Sequence, residues 1–319
     1  LNQVFFEELE LRQPDYMLDC RAETAMAQVG MILSECERIM LKEKPDRILI
    51  LGDTNSALSA LVAKRMGIPV FHMEAGNRCY DDRVPEETNR RVVDHCSDIL
   101  MPYTERSRAN LLREGIPGNR VFVTGNPIWE VLDSYGEQIE SSKALQSLEV
   151  EPRKYILVTL HRAENVDIEE RLSGFIDALN MLNETYRVPV ICSLHPRTNS
   201  QLEKRGLSMD RQGVRTFEPV GLFDFVKLEK NALCVLSDSG TVQEECCIFK
   251  VPNATLRDVT ERPETIEVGS NFITGCSADS IMLAVKTILD QKCEWEPPHE
   301  YIAKNVSNTV AKIVLGYWH

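Results

Sequence analysis

Residues 69–90 read PVFHMEAGNRCYDDRVPEETNR. Val70-Phe-His-Met73 is a short apolar run suited to a buried strand. The chain breaks at Ala75-Gly76, crosses a polar loop and restarts at Pro85, a residue favoured in the first turn of a helix. Upstream, Arg47–Gly52 is a second apolar run, and residues 55–66 between the two have the pattern of a helix, so the three segments form a βαβ unit. Open parallel sheets bind ligands outside the carboxyl ends of their strands. Asp53 and Glu74 fall at two such ends, and Glu86 lies at the far end of the loop. Acids gathered in a half-buried place repel and desolvate one another, which separates an acid role from a base role. Each has a structural explanation by itself: Asp53 as a helix cap, Glu86 as an acid in a first helical turn. Three together at matching ends favour chemistry.

The same alternation runs outward in both directions. Strands are expected at 47–52, 69–74, 98–103 and 120–125, with helices at 55–66, 86–95, 104–114 and 127–135. Thr24 is placed to cap an earlier helix carrying Met26, Val29, Leu33, Cys36 and Met40 at helical spacing. Residues 136–153, GEQIESSKALQSLEVEPR, are polar without a strand pattern and read as a linker. Beyond it come strands at 155–161, 189–194, 214–219, 232–237, 253–257 and 271–274. Helices are expected at 168–183, 222–230, 241–249, 279–291 and 305–316. Alternating strands and helices in both halves mean two doubly wound α/β domains. The opening, LNQVFFEELEL, starts inside an amphipathic pattern with Val4, Phe5 and Leu9 on one face, and reads as a chain lacking its natural start.

The 319 residues carry a net charge of −13, which argues against sequence-independent nucleic-acid binding. No apolar run approaches a membrane span and no signal peptide is visible. The ten cysteines show no CxxC or zinc spacing and read as reduced thiols of a cytoplasmic protein. GxGxxG and Walker A motifs are absent from the residues present, and nothing resembles a metal cluster.

Residues 236–245, LSDSGTVQEE, carry the clearest phosphate signal. A strand ends, Ser239 and Gly240 turn the chain, and a helix begins with free N–H groups facing outward. Glu245 lies about one and a half turns on, within reach of a ribose diol, and Arg262 follows the next strand as a second anion contact. An ordinary Ser-capped helix is the alternative reading. His161-Arg162 closes the first strand of the second half, His195 and Arg197 form a similar pair one strand over, and His72 reads as a satisfied core histidine.

The ordered set resembles the non-hydrolysing UDP-N-acetylglucosamine 2-epimerases over nearly the whole chain. It comprises Gly52-Asp-Thr54, His72-Met-Glu-Ala-Gly76 with Arg78, Pro85-Glu-Glu-Thr-Asn-Arg90, His161-Arg162, Asp238-Ser-Gly240 with Glu244-Glu245, and Thr260-Glu-Arg-Pro-Glu264. The resemblance implies a glycosyltransferase-B-like fold of two Rossmann-like domains with the active site between them. Residues 1–140 would be the first domain, 141–300 the UDP-binding domain, and 301–319 a helix returning to the first. It implies a homodimer acting on a UDP-sugar without NAD or metal, and no nucleic-acid or membrane partner. The implied reaction eliminates UDP to a 2-acetamidoglucal and re-adds it after protonation of C2 from the other face. Asp53, Glu74 and Glu86 match the family's catalytic acids and His161 its histidine near the diphosphate. Ser239, Gly240 and Arg262 match diphosphate and nucleotide contacts, with Arg162 beside them. Glu245 matches the ribose-binding acid, Phe225 the uracil contact, and Arg90 an arginine of the same site. The family's opening strand with its Gly-Thr-Arg-Pro-Glu motif has no match, and Thr241 replaces a frequent second glycine. Asn77-Arg78-Cys79 looks more like the branch acting on 6-deoxy or diacetamido-uronate sugars, whereas Arg257-Asp-Val-Thr-Glu-Arg262 looks more like the N-acetylglucosamine branch, so the exact UDP-sugar stays open between branches. A hydrolysing epimerase, a retaining glycosyltransferase and a nucleotide-sugar-binding protein are the rival readings.

Overall fold

A computed structural model describes residues 2–211, 213–291 and 294–317, without the side chains of residues 2, 3 and 5. The expected place of Phe5 on an apolar face thus lies outside the described residues. Among those residues the chain forms two compact units. One lies within Leu1–Gln13 and Val131–Pro298, the other within Pro14–Glu130 and His299–His319. Residues 2–13 and 131–140 therefore group with the later part of the chain, unlike a break at 140. The contacts show why. The Glu8 carboxylate accepts from the N–H groups of Leu222 at 2.6 Å and Phe223 at 3.1 Å. The Tyr135 hydroxyl donates to the Leu9 carbonyl at 2.9 Å.

The unit within Pro14–Glu130 and His299–His319 holds a parallel sheet of β1 (Ile48–Leu51), β2 (Val70–Met73) and β3 (Ile99–Met101), in that order. A 3-10 turn at Asn55–Leu58 and the helix Ser59–Arg65 connect β1 to β2, and the helix Pro85–Cys96 connects β2 to β3. β2 and β3 are buried throughout, as strands packed on both faces must be. The helix Val306–Gly316 packs here, placing Val306 and Val310 against Phe71, Met73, Ile99 and Met101.

The strand expected at 120–125 is corrected to a single bridge between Val121 and Leu100. Pro102 follows β3 and has no N–H for the ladder, and a 3-10 turn at Gly118–Arg120 takes up the start of the segment. The chain still runs beside β3, with Phe122 N–H on the Leu100 carbonyl at 2.9 Å.

The other unit holds six parallel strands ordered β6-β5-β4-β7-β8-β9. They are β4 (Ile156–Leu160), β5 (Val190–Leu194), β6 (Val214–Phe217), β7 (Cys234–Ser237), β8 (Asn253–Thr255) and β9 (Asn271–Ile273). The direction of winding reverses between β4 and β7, which makes that gap the topological switch point where open α/β sheets bind ligands. Period-two alternation sends Val158 and Leu160 to one core with Phe175 and Val285, and Leu157 to another with Val235 and Val242.

The expected linker is also corrected. Residues 136–153 form two short helices, Gly136–Ser141 and Ala144–Ser147, and bury Ile139, Ala144 and Val150. Ala144 and Val150 join the core around Leu157. Their apolar positions are too few and too widely spaced among charges to show a period. A helix at Pro196–Arg205, not expected from the sequence, buries Thr198 and Leu202. No helix among the described residues is long and apolar enough to cross a membrane. The nine described cysteines are free thiols.

Candidate active site

The parallel register pairs Leu51 with Met73, so the two chains leave β1 and β2 side by side. Asp53 follows one residue after Gly52, and Glu74 follows Met73 directly. Glu74 has φ +65°, a conformation that L side chains adopt at a cost. Its carboxylate accepts from Asn77 Nδ2 at 3.2 Å. A Cβ on Gly52 would stand 3.3 Å from Glu74 Oε2, so glycine is what lets the Glu74 side chain lie against the backbone that leads into Asp53.

Arg90 comes to Asp53 from the second turn of the helix Pro85–Cys96, its Nε donating to Asp53 Oδ2 at 2.8 Å. Asn89 Nδ2 donates to the Asp53 carbonyl at 3.0 Å. Glu86 is half-buried in the first turn of that helix. Its neighbour Glu87 is the buried acid, accepting from Arg90 Nη1 at 2.8 Å and from the N–H groups of Cys79 and Tyr80, each at 3.0 Å. Burial opposes the Glu87 charge, yet these donors hold its carboxyl below the usual range. Sequence reasoning passed over Glu87 in favour of Glu86. The Glu87–Arg90 spacing of three on one helix face was the available signal.

Below this layer lies a second one. Arg78 makes a two-pronged contact with Glu114 at 2.8 and 2.6 Å and reaches Asp94 Oδ2 at 2.8 Å. Burial opposes the charge on Asp94, but the hydrogen bond from His72 and the charges of His72 and Arg78 hold its carboxyl low. His72 is buried with both ring nitrogens partnered, which fits its reading as a satisfied core histidine. A cavity of about 700 Å³ in this unit is lined by Asp46, Arg47, Phe71, Val314 and Tyr317. It opens at the amino ends of β1 and β2, away from Asp53 and Glu74.

In the six-stranded unit, Asp238 spans the switch point. Its fully buried carboxylate accepts from the N–H groups of His161 at 3.1 Å and Arg162 at 2.9 Å, and from Asn165 Nδ2 at 3.0 Å. His161 Nδ1 lies 3.1 Å from it. Burial disfavours the charge, and the histidine and N–H donors more than restore it, leaving the carboxyl below its ordinary value. Asp238 thus fixes the ends of β4 and β7 to each other and aims His161 outward. A cavity of about 270 Å³ there is lined by His161, His195, Gly221, Phe225, Ser239 and Val242. The Phe225 N–H is taken up by the Gly221 carbonyl at 3.0 Å.

Ser239 precedes the helix Gly240–Phe249 in extended conformation, its side chain making no cap bond. A Cβ on Gly240 would stand 2.8 Å from Glu261 Oε1 and 3.7 Å from Arg262 Nη2. The Arg262 side chain is engaged by Glu244, and Arg162 lies 3.7 Å from Glu261. Glu245 is buried. Burial, aided by the charge of Glu244 and offset by the hydrogen bond with Glu229, raises its carboxyl to about 7. Glu229, buried beside it, is raised by burial and by the Glu245 charge. Nothing in the sequence marks Glu229, whose position in an amphipathic helix looks like that of any other acid. His195 caps the helix Pro196–Arg205 through its ring, 5.5 Å between centroids from His161. Arg197 is drawn to Asp167, with its Nε at 3.1 Å.

These two α/β units belong to the glycosyltransferase-B-like fold class. The chain belongs to the UDP-N-acetylglucosamine 2-epimerase family, whose sequence profile matches residues 1–315. It is 44% identical over 305 residues to the UDP-N-acetylglucosamine 2-epimerase of Methanocaldococcus jannaschii, covering 93% of this chain and 83% of that one. It is 37% identical over 292 residues to the UDP-2,3-diacetamido-2,3-dideoxy-D-glucuronate 2-epimerase of Pseudomonas aeruginosa, covering 91% and 80%. The crystal structure of the Methanocaldococcus jannaschii UDP-GlcNAc 2-epimerase in complex with UDP-GlcNAc and UDP superposes with a TM-score of 0.93 at 42% identity. It covers 98% of this chain and 88% of that one.

Proposed function

We propose that this chain is a non-hydrolysing UDP-N-acetylglucosamine 2-epimerase that interconverts UDP-N-acetylglucosamine and UDP-N-acetylmannosamine. Family membership supplies the reaction class. The observation that carries the chemistry is the placement of Asp53 and Glu74 at the carboxyl ends of two neighbouring parallel strands.

The C2 proton of such a sugar has no adjacent carbonyl and is not acidic. A carboxylate takes it while the C1–O bond breaks toward UDP, leaving a C1–C2 double bond in a 2-acetamidoglucal. A protonated acid then delivers a proton to the other face of C2 as the phosphate oxygen re-forms its bond to C1. The requirement is a base, an acid and a site that retains UDP. Asp53, Glu74 and Glu86 are the acids in this reading. His161 and Arg162 face the diphosphate at the switch point, with Ser239, Gly240 and Arg262 contacting the nucleotide. Glu245 takes the ribose and Phe225 the uracil. Arg90 holds Asp53. A homodimer, a cytoplasmic location and a place in supplying sugars for polysaccharides belong to the same reading.

Proton NMR of UDP-N-acetylglucosamine in D2O tests it. Loss of the C2 proton signal with growth of a manno signal and no net free UDP supports the proposal. Stoichiometric UDP and free N-acetylmannosamine would instead make it a hydrolysing enzyme. The second reading, a diacetamido-uronate substrate, is favoured by the Pseudomonas aeruginosa relative and by the Asn77-Arg78-Cys79 pattern. Exchange with that sugar and none with UDP-N-acetylglucosamine would select it.

A further inference from the structure

His72 lies in the middle of β2 and is 1% exposed. Its Nδ1 is 2.8 Å from Asp94 Oδ1 and its Nε2 is 3.0 Å from the Gly52 carbonyl oxygen. A carbonyl oxygen only accepts. Asp94 is also an acceptor: with the Gly76 N–H at 3.1 Å and Arg78 Nη1 at 2.8 Å on its second oxygen and its carboxyl held below the ordinary range, it is a carboxylate with no proton of its own to give. Both ring nitrogens must therefore donate, and the ring is an imidazolium. The charges around it balance in pairs: His72 and Arg78 against Asp94 and Glu114. Burial disfavours the charged ring, but the hydrogen bond and charge of Asp94, the Gly52 carbonyl and the charge of Glu74 outweigh it and raise the pKa.

The backbone atoms held by this pair are the ones that matter to the acids. Gly52 is the residue before Asp53, and Gly76 is the second residue after Glu74. His72 holds the first through its ring, and Asp94 holds the second through the oxygen the ring leaves free. Gly52 and Gly76 both have positive φ, +79° and +80°, so neither turn is fixed by ordinary backbone preference. A neutral histidine has one N–H and would have to release one of its two partners.

We propose that His72 is a positioning residue: a permanently charged imidazolium that clamps the strand ends carrying Asp53 and Glu74 to each other. It touches no reacting atom. The catalytic consequence rests on the acid-base reading of Asp53 and Glu74, whereas the clamp itself is a property of the fold.

The test begins with nitrogen-15 NMR of the histidine rings in the unaltered chain, without substrate, from pH 6 to 9. Both His72 nitrogens should stay protonated across the range. One bare ring nitrogen at pH 7.5 overturns the proposal. His72→Gln should then speed amide hydrogen exchange at 52–55 and 74–78 while leaving 156–160 unchanged. It should lower kcat for C2 exchange about 10- to 100-fold with KM within about threefold, the scale of a small misplacement of reacting groups. Unchanged amide exchange at both strand ends in a folded variant overturns the clamp. If the variant does not fold, the ring titration of the unaltered chain still decides. If the unaltered chain exchanges no C2 proton, the epimerase reading falls, while the ring and amide readouts still judge the clamp.

Discussion

Arg90 holds Asp53 and Glu87 with one guanidinium, Nε to Asp53 Oδ2 and Nη1 to Glu87 Oε2, both at 2.8 Å. Asp53 is at a strand end, and Glu87 carries the loop N–H groups of Cys79 and Tyr80. Replacing Arg90 by Leu leaves Glu87 charged and buried without its cation. Breaking such a pair costs about 3–5 kcal/mol. Urea denaturation should show a loss of that size, and C2 exchange should fall with it. A variant as stable as the parent would mean that Glu87 is carried by the backbone N–H groups alone.

Asp53→Asn keeps the size of the side chain and an oxygen for Arg90, and removes the charge and the proton-transfer capacity. General acid-base groups contribute about 10²–10⁴-fold. C2 exchange in D2O should drop by that range, while UDP affinity by calorimetry, which reads the six-stranded unit, should stay within about threefold of the parent. Loss of UDP binding with the exchange rate per bound sugar intact would assign Asp53 to binding instead.

Gly76 has φ +80°, and a Cβ there would overlap the Ser107 carbonyl and stand 2.8 Å from Leu111 Cγ. Gly76→Ala therefore combines backbone strain with a clash against the helix Glu105–Arg113. A destabilisation of about 2 kcal/mol or more is expected, and crystallography should find the Glu74 turn displaced. An unmoved turn at parental stability would contradict this packing.

Glu245 gives the sign of one pH effect. Its carboxyl stands near 7 in the fold against 4.5 in the free side chain, so between those values the folded state holds the extra proton. Stability from this group is present below 4.5 and is lost as the pH rises through about 7. Glu245→Gln should remove that part of the slope. Melting temperatures at pH 5, 6, 7 and 8 should fall less steeply in the variant, with the two curves differing by about 2–4 °C for each kcal/mol involved. Parallel curves would place the shared proton elsewhere.

Phe71 is fully buried in β2 beneath the helix Val306–Gly316. Phe71→Ala should cost about 3–5 kcal/mol, since the cavity lies between a sheet and a helix that cannot both collapse into it. Urea denaturation measures this directly.

Local sequence pattern made most of the alternation of β1 to β9 with helices legible, because buried parallel strands are short apolar runs and long crossover helices carry a local period, but it did not show the helices Pro196–Arg205 and Pro263–Glu267. It also placed Asp53, Glu74, His161 and Ser239 at strand ends, since a strand end is a local break in pattern. Partnership, by contrast, is set by the three-dimensional fold. Arg90 meets Asp53 across 37 positions, Asp94 meets His72 across 22, and Asp238 meets the His161 N–H across 77. No local pattern encodes such a distance. Residues 136–153 became part of a core because neighbours from elsewhere in the chain covered their few apolar side chains. Residues 120–125 did not become a strand because a proline outside the segment ended the ladder it would have joined. Glu86 and Glu87 look alike in sequence, and one residue of helical rotation buries the second and leaves the first half-exposed. Local order follows from hydrophobic period and chain stiffness, whereas the charge pairs that shape the site depend on which surfaces the finished fold brings together.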